Sequence, residues 1–355
     1  MIPSAHLIAS RRPGGAEGFY CRLVKALAAE AWPVHAVHPP GSAVGSALGR
    51  AVSRFEVPML GTWDILARHR IARLLRRLAT PIVQTYLGRA SRLTRLEGRP
   101  GAIHLARLGG YYDLEDYRHA HAFVAVTQGL CDHLVRNRIP AGRVFHIPNF
   151  VEAPKPEGGG RLGYWRERLG LPHEAWVVVT VGRLHPVKGL DVLLAALARA
   201  PGCIDDWPVH LVIVGDGPLR GALEHEAHAL GLSGRIHFVG WQIDPGPYYR
   251  ACDLVVCASR QETFGNTVLE AWAHGRAVLS TRTAGPLEII TDGEDGSLVP
   301  AEDPAALAQG LERLLRDIGA RHDLGEAGRK RLALDFSRER IVQQYQALYE
   351  TLAGG

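Results

Sequence analysis

At 355 residues, with 46% hydrophobic and 22% charged content, the chain has a globular composition and too much length for one ordinary core, so two domains are expected. No apolar run approaches the roughly 18 to 20 residues of a membrane span, and the start MIPSAHLIAS has neither the basic opening nor the apolar stretch of a signal peptide. The net charge of +5 conceals a split: residues 1–150 hold 20 Lys and Arg against 9 Asp and Glu, a net of +11, whereas the rest nets −6.

In chain order, a short apolar strand at residues 6–10 leads into the Gly-rich turn RRPGGAEG and the helical pattern FYCRLVKALAAEAW. The strand VHAVHP follows, then a basic helix over residues 63–78. That helix sets Arg68, Arg70, Arg73, Arg76 and Arg77 beside Ile65, Leu66, Ile71, Leu74, Leu75 and Leu78. Such a helix suits an anionic lipid surface, and it equally suits an ordinary solvated face. The apolar runs PIVQTYL, AIHLAR and AFVAVT read as buried strands, and CDHLVRN and VFHIPNF close this half. Residues 152–163, EAPKPEGGGRLG, carry no periodicity and read as a linker. Strand–helix alternation then restarts with WVVVTVG, GLDVLLAALARA, HLVIVG, LRGALEHEAHALGL, RIHFVG, LVVCAS, TVLEAWAHG, AVLST and GSLVP, and FSRERIVQQYQALYETLA is an amphipathic terminal helix. The expected organisation is α/β: two doubly wound parallel sheets, at 1–151 and 164–335, with 336–355 crossing back to the first domain. Five scattered cysteines, Cys21, Cys131, Cys203, Cys252 and Cys257, fit a reducing, cytoplasmic compartment.

In open α/β sheets, ligands sit beyond the carboxyl ends of the strands. There the sequence places VGRLHPVKG, with Arg183 and Lys188 between glycines, two cations on a tight loop before a helix. This pattern fits a diphosphate, although solvated loop charges have the same spacing. VGDGPLR, with Gly217, lacks the third glycine of a dinucleotide fingerprint, and no acidic residue closes the next strand, RIHFVGW. RQETFGNTVLEAWAHG sets Glu262 and Glu270 eight positions apart. On one helix they would be separated by about 12 Å of rise and about 80° of rotation. If Glu262 lies in the loop and the helix starts near Gly265, both can face one ligand. GGAEG, with Gly15, offers N–H groups in the first turn of the other half. His225 and His228 lack zinc-protease spacing, and no Asp-x-Asp occurs, so no metal is expected.

In this order, strand–GR(x)4KG, strand–GDGP, FVG and E-(x)7-E around FGN, the chain resembles the retaining glycosyltransferases of the GT-B fold, family 4, strongly over 176–302 and loosely elsewhere. The resemblance implies two Rossmann-like domains facing a cleft that holds a nucleotide sugar, with UDP the default base. It implies that Arg183 and Lys188 neutralise the leaving diphosphate and Glu262 binds donor-sugar hydroxyls. Gly265 and Asn266 would bring backbone N–H groups to the sugar and phosphate, and Glu270 would accept from the ribose. Gly15 would approach the phosphate from the first domain, with Thr267 and Gly217 as further donor-binding positions. The family's histidine near the donor falls at His104 or is replaced by Arg107. No cofactor or metal is implied beyond the donor itself. The acceptor would be a glycan or lipid-linked molecule of the cell envelope, such as lipopolysaccharide, reached at the inner face of the cytoplasmic membrane, where the basic half could touch anionic lipid. No nucleic-acid partner is implied. Rival readings are a GT-B epimerase or hydrolase and a non-catalytic glycan-binding partner. The second predicts loss of Arg183, Lys188, Glu262 and Glu270, all of which are present.

Overall fold

A computed structural model describes residues 1–11, 14–96, 98–154 and 162–354. It divides into two compact units, Met1–Phe150 with Ser337–Gly355, and Val151–Phe336. The helix Leu162–Arg168 starts two residues inside the stretch read as a linker, and residues 155–161 of that stretch lie outside the described residues.

In the first unit, seven parallel strands are β1 (Ser4–Ile8), β2 (Val34–His38), β3 (Ser53–Glu56), β4 (Ile82–Tyr86), β5 (Ile103–Leu108), β6 (Ala122–Ala125) and β7 (Val144–His146). They are ordered β3-β2-β1-β4-β5-β6-β7. Every residue of β1 and β4 is buried, as expected of central strands covered on both faces. One face is covered by the helices Gly15–Ala29 and Arg338–Gly354, which bring Phe19, Leu23, Ile341, Val342 and Tyr345 into one cluster. The other is covered by the helix Ile65–Leu78 through Ala67, Ile71, Leu74 and Leu75. Asp64 caps that helix by accepting from the Ala67 amide at 2.8 Å. A buried polar chain ties the terminal helix to the sheet. Tyr349 donates to Gln84 at 2.7 Å, Gln84 to the Tyr86 hydroxyl at 2.7 Å, and the Tyr86 hydroxyl meets His6 Nδ1 at 2.9 Å. The terminal helix thus belongs to the unit built from the start of the chain.

In the second unit the strands are β8 (Trp176–Val181), β9 (Cys203–Ile204), β10 (Trp207–Val214), β11 (Ile236–Gly240), β12 (Leu254–Cys257), β13 (Val278–Thr281) and β14 (Ser297–Val299). The parallel sheet runs β11-β10-β8-β12-β13-β14, and β9 adds a short antiparallel pairing to β10. The chain winds outward from β8 to β11, then returns to place β12 on β8's other side. The order therefore reverses between β8 and β12, where a doubly wound sheet opens a crevice for a ligand.

Candidate active site

The loop leaving β8 carries the two expected cations. Arg183 is exposed and has no ion-pair partner among the described residues. Lys188 ends the single 3-10 turn Pro186–Lys188, and Gly189, at φ +58°, turns the chain into the helix Leu190–Arg199. Gly189 is glycine for a second reason, since a Cβ there would lie 2.1 Å from the Ala258 carbonyl oxygen. The loops leaving β8 and β12 are thus in backbone contact across the switch point. Arg260 fastens them. Its amide donates to the Val187 carbonyl at 2.8 Å and its guanidinium to the Pro186 carbonyl at 2.9 Å. The same guanidinium grips Asp191 through two bonds of 2.7 and 2.6 Å and reaches Glu302 at 2.9 Å. These bonds hold the Asp191 carboxyl below its ordinary range.

The loop after β10 packs beneath. A Cβ on Gly217 would lie 2.3 Å from the Leu184 carbonyl oxygen, and the Leu184 amide donates to the Asp216 carbonyl at 3.0 Å. The glycine at 217 is therefore demanded by close packing on the cation loop, whatever contact it makes with a ligand.

Glu262 lies in the loop after β12, and Glu270 lies on the helix Asn266–Ala273. Lys188 Nζ donates to Glu262 Oε2 at 2.5 Å, and Ser259 Oγ donates to the same oxygen at 3.3 Å. Both partners remain about one-quarter exposed, at 26% and 22%. Solvent screening leaves such a pair only a small share in stability, so its importance is the placing of charge. Arg183, Lys188, Ser259, Glu262 and Thr267 line one cavity. The Cys257 thiol at its wall is pushed up to about 12, by burial first and the Glu262 charge second, and stays neutral.

Gly265 precedes the helix in a left-handed conformation, φ +105°, and supplies no side-chain cap. The helix start carries a partial positive charge, and the Val268 amide donates to the Gly265 carbonyl at 2.9 Å. Thr267 Oγ1 donates to the Val181 carbonyl at 3.3 Å, tying this helix to the end of β8. Gly285, after β13, closes the set. Its amide donates to the Glu262 carbonyl at 2.8 Å, and its own Cβ would lie 2.3 Å from the Phe264 carbonyl oxygen. One turn further, the buried Tyr249 donates its hydroxyl to Glu270 Oε2 at 2.8 Å. His274 stacks on the Tyr249 ring and bonds the Glu270 carbonyl through Nδ1 at 2.8 Å. Oε2 of Glu270 is thereby engaged with the protein.

The structure brings Arg183, Lys188, Glu262, Gly265, Asn266, Thr267, Glu270 and Gly217 to one edge of the second unit. Gly15 and His104 belong to the first unit. Gly15 opens the helix Gly15–Ala29. His104 is the second residue of β5, fully buried, with Nε2 on the Thr85 hydroxyl at 2.9 Å and burial holding it well below its ordinary range. Its place near the amino end of the strand, opposite the edge where loops gather ligands, makes it a neutral packing residue, contrary to the site role expected of it. Arg107, three residues on, is also buried. Its guanidinium bonds Asn149 and lies 4.0 Å above the Phe19 ring. Sequence reasoning missed Arg260, Asp191, Ser259 and Tyr249. Arg260 adjoins the recognised motif, but its partner Asp191 is 69 positions away and leaves no local signal.

The first sheet runs 3-2-1-4-5-6-7 and the second, β9 aside, 3-2-1-4-5-6, and with these two sheets the chain has the fold of the GT-B glycosyltransferases. Anabaena HepE, solved in complex with UDP-glucose, superposes at a TM-score of 0.87 over 99% of this chain and 100% of that one, at 19% identity. The profile of the glycosyl transferases group 1 family matches residues 164–331. Two lipopolysaccharide core biosynthesis glycosyltransferases of Rhizobium meliloti align over 341 residues. LpsE is 34% identical, covering 95% of this chain and 96% of its own, and LpsD is 30% identical, covering 95% of each. The chain belongs to the glycosyl transferases group 1 family.

Proposed function

We propose that this glycosyltransferase moves a hexose from a UDP-sugar to a glycan or lipid-linked acceptor of the lipopolysaccharide core, with retention at the anomeric carbon and without a metal ion. The full-length similarity to LpsE and LpsD supports the acceptor class, and the UDP-glucose bound by HepE supports the donor. The observation that carries the reading is the pairing of Lys188 with Glu262 beside exposed Arg183, at the sheet's switch point. Among the described residues no three His, Cys, Asp or Glu side chains gather as metal ligands.

In this reading the donor diphosphate lies against Arg183, Lys188 and the first-turn N–H groups of Asn266 and Thr267. An ammonium has three donors, so Lys188 can keep Glu262 and still bond a phosphate oxygen. Glu262 holds the sugar hydroxyls and Glu270 the ribose, with Gly217 beside the phosphates. As the bond between anomeric carbon and phosphate oxygen breaks, its electron pair goes to that oxygen, and fixed cations stabilise the developing charge. The acceptor oxygen bonds the carbon from the same face, and its proton passes to the departing phosphate.

The test is a thermal-shift panel with UDP, GDP, ADP and their sugar conjugates, with and without EDTA, followed by transfer to a lipopolysaccharide core acceptor and NMR of the product anomer. A nucleotide at about 100 times its dissociation constant stabilises by about 2.7 kcal/mol. A shift with UDP that survives EDTA and is lost in Lys188→Ala, with a retained anomer, is expected. No shift with any nucleotide, or an inverted product, overturns the proposal.

A further inference from the structure

We propose that Arg107 binds an oxyanion carried by the acceptor sugar, a phosphate ester or a carboxylate, at the carboxyl edge of the first unit's sheet. The assignment to the acceptor rests on the transfer proposed above, whereas the anion site is built from the first unit alone. Arg107 is 2% exposed, yet among the described residues it has no carboxylate partner. The other two buried arginines among the described residues are matched within the chain. Arg166 pairs with Asp253 at 2.5 Å, and Arg321 donates to the Leu314 and Leu315 carbonyls at 2.5 Å each. Arg107 instead donates from Nη2 to the Asn149 side-chain oxygen and lies 4.0 Å from the Phe19 ring centre and 5.8 Å from that of Tyr86. Its Nε is buried without a hydrogen-bond partner. Taking a cation out of water is costly unless an opposite charge replaces the lost hydration, and ring faces replace only part of it. A guanidinium in this setting is matched by an anion supplied from outside the chain.

The surroundings select the kind of anion. Arg107 is the fifth residue of β5, at the strand end where open α/β sheets gather ligands. Nη1 adjoins Gly109, where a Cβ would lie 3.4 Å away, so that residue leaves this edge of the guanidinium uncovered. The Tyr112 and Tyr345 hydroxyls lie close enough to feel the Arg107 charge, and burial raises both above the ordinary range. Both therefore stay protonated and can donate to an oxyanion. Tyr111 and Tyr112, 47% and 37% exposed, add apolar ring faces that suit the CH faces of a sugar while the cation takes its charge. Glu17, the acid recorded beside the Tyr112 hydroxyl, is half-buried, folds back toward Gly14 and makes no ion pair with Arg107. The planar fork of a guanidinium matches the paired oxygens of a phosphate or carboxylate, which a neutral hydroxyl does not offer. The Tyr112 ring packs over Gly110, where a Cβ would lie 3.0 Å from it. On this proposal the acceptor reaches Nη1 and Nε by turning the Tyr112 side chain outward.

The experiment is a thermal shift of the full chain with glucose 6-phosphate, glucuronate and glucose as probes, each with saturating UDP so that the donor site is filled. A charged probe is expected to raise the melting temperature and glucose is not, and the charged probe that acts at the lower concentration identifies the oxyanion. Arg107→Met is expected to weaken that probe about 10- to 100-fold, the loss for a hydrogen bond to a charged group. It should keep the UDP-induced shift and melt no lower than wild type, because methionine leaves no charge to desolvate. Arg107→Lys keeps the charge without the fork and should recover part of the binding. In transfer assays Arg107→Met should raise KM for the acceptor by the same factor and leave KM for the donor unchanged. No shift with either charged probe overturns the proposal. So does a probe shift that Lys188→Ala abolishes and Arg107→Met spares, which places the probe at the donor site. Loss of the UDP shift in Arg107→Met puts the guanidinium on the donor, and a lower melting temperature with unchanged probe binding leaves it a packing residue; either result refutes the acceptor role. If UDP fails to bind wild type, the donor reading falls, and the probes without UDP still decide this one through the same two variants.

Discussion

Replacing Gly189 by alanine tests whether the two loops of the site are held together by backbone contact. The residue has φ +58°, and its Cβ would stand 2.1 Å from the Ala258 carbonyl oxygen. The left-handed conformation costs an alanine about 1–2 kcal/mol, and forcing an atom into filled space costs typically about 1–3 kcal/mol. Stiffening the unfolded chain returns about 0.4–1 kcal/mol. The net destabilisation should be about 2–4 kcal/mol, and at about 2–4 °C per kcal/mol for a unit of this size the melting point should fall by about 4–16 °C. Gly231 provides the control, since it has φ +70° in the same unit and nothing within 4 Å of its Cβ position. Gly231→Ala bears only the conformational term and should lose about 1 kcal/mol. Relieving the Gly189 clash requires the Lys188 turn and the Glu262 loop to part by about 1 Å, a displacement of the size that can cost about 100-fold in rate. Melting curves and kcat/KM for the donor, measured on both variants, decide the matter. If Gly189→Ala melts and turns over like Gly231→Ala, the loops are not in contact and the argument built on their junction fails.

Tyr249→Phe removes the hydroxyl that engages Glu270 Oε2; losing one such bond, worth about 0.5–1.5 kcal/mol, should weaken UDP about 2- to 12-fold by calorimetry with kcat little changed. An unchanged dissociation constant would sever Tyr249 from nucleotide binding. Arg260→Lys keeps the charge but loses the two-pronged grip on Asp191. Because the Asp191 and Glu302 side chains remain 43% and 66% exposed, the melting point should hardly move while kcat/KM falls about tenfold through misplacement of Lys188, and a kinetic wild type would refute that role. His6 is buried and neutral, lowered to about 3 by burial first and the His35 charge second. The unfolded chain binds its proton from about pH 6.5 downward and the folded chain only near pH 3, so stability should fall as pH drops through that window. The slope is at most about 1.4 kcal/mol per pH unit for this residue. His6→Gln should melt less steeply with acid between pH 6.5 and 5, and an identical pH profile would place the loss elsewhere.

Much of the site was legible because its signals are local. The run WVVVTVG ends a buried strand and delivers Arg183 and Lys188 in the next seven residues, and the FGN turn between Glu262 and Glu270 places one carboxylate in the loop and one on the helix. Relations between distant segments were not legible. Nothing in LVVCASR indicates that Arg260 will meet Asp191, and a central parallel strand, apolar on both faces, gives no alternation to say which end of AIHLAR meets solvent. His104 was offered because the resemblance sets the family's histidine at His104 or Arg107, and it is the second residue of β5, near the amino end. The basic helix is a different failure. Its five arginines and six apolar residues were set side by side without being assigned to faces, although Ile65 and Leu66 fall among the cations at helical spacing. That much was available from the sequence, but that no core reaches them was not.

The positions of Gly189, Gly217 and Gly285 explain how the loops that carry the charges of this site are fixed at their roots. Each glycine lets one backbone close on another, at Ala258, Leu184 and Phe264, so the loops from β8, β10, β12 and β13 form a single piece before any ligand arrives. Lys188 and Glu262 are only one-quarter exposed yet weakly stabilising, a poor return if stability were their purpose. Their pairing keeps a cation oriented at little energetic depth, so on the proposed reading a diphosphate would share it without first breaking a strong bond. A deep, dry ion pair would hold the lysine more firmly and resist the ligand in proportion. The packed glycines and sheet supply the fold's stability, and on the proposed reading the pair would supply charge that is in place when the leaving group departs.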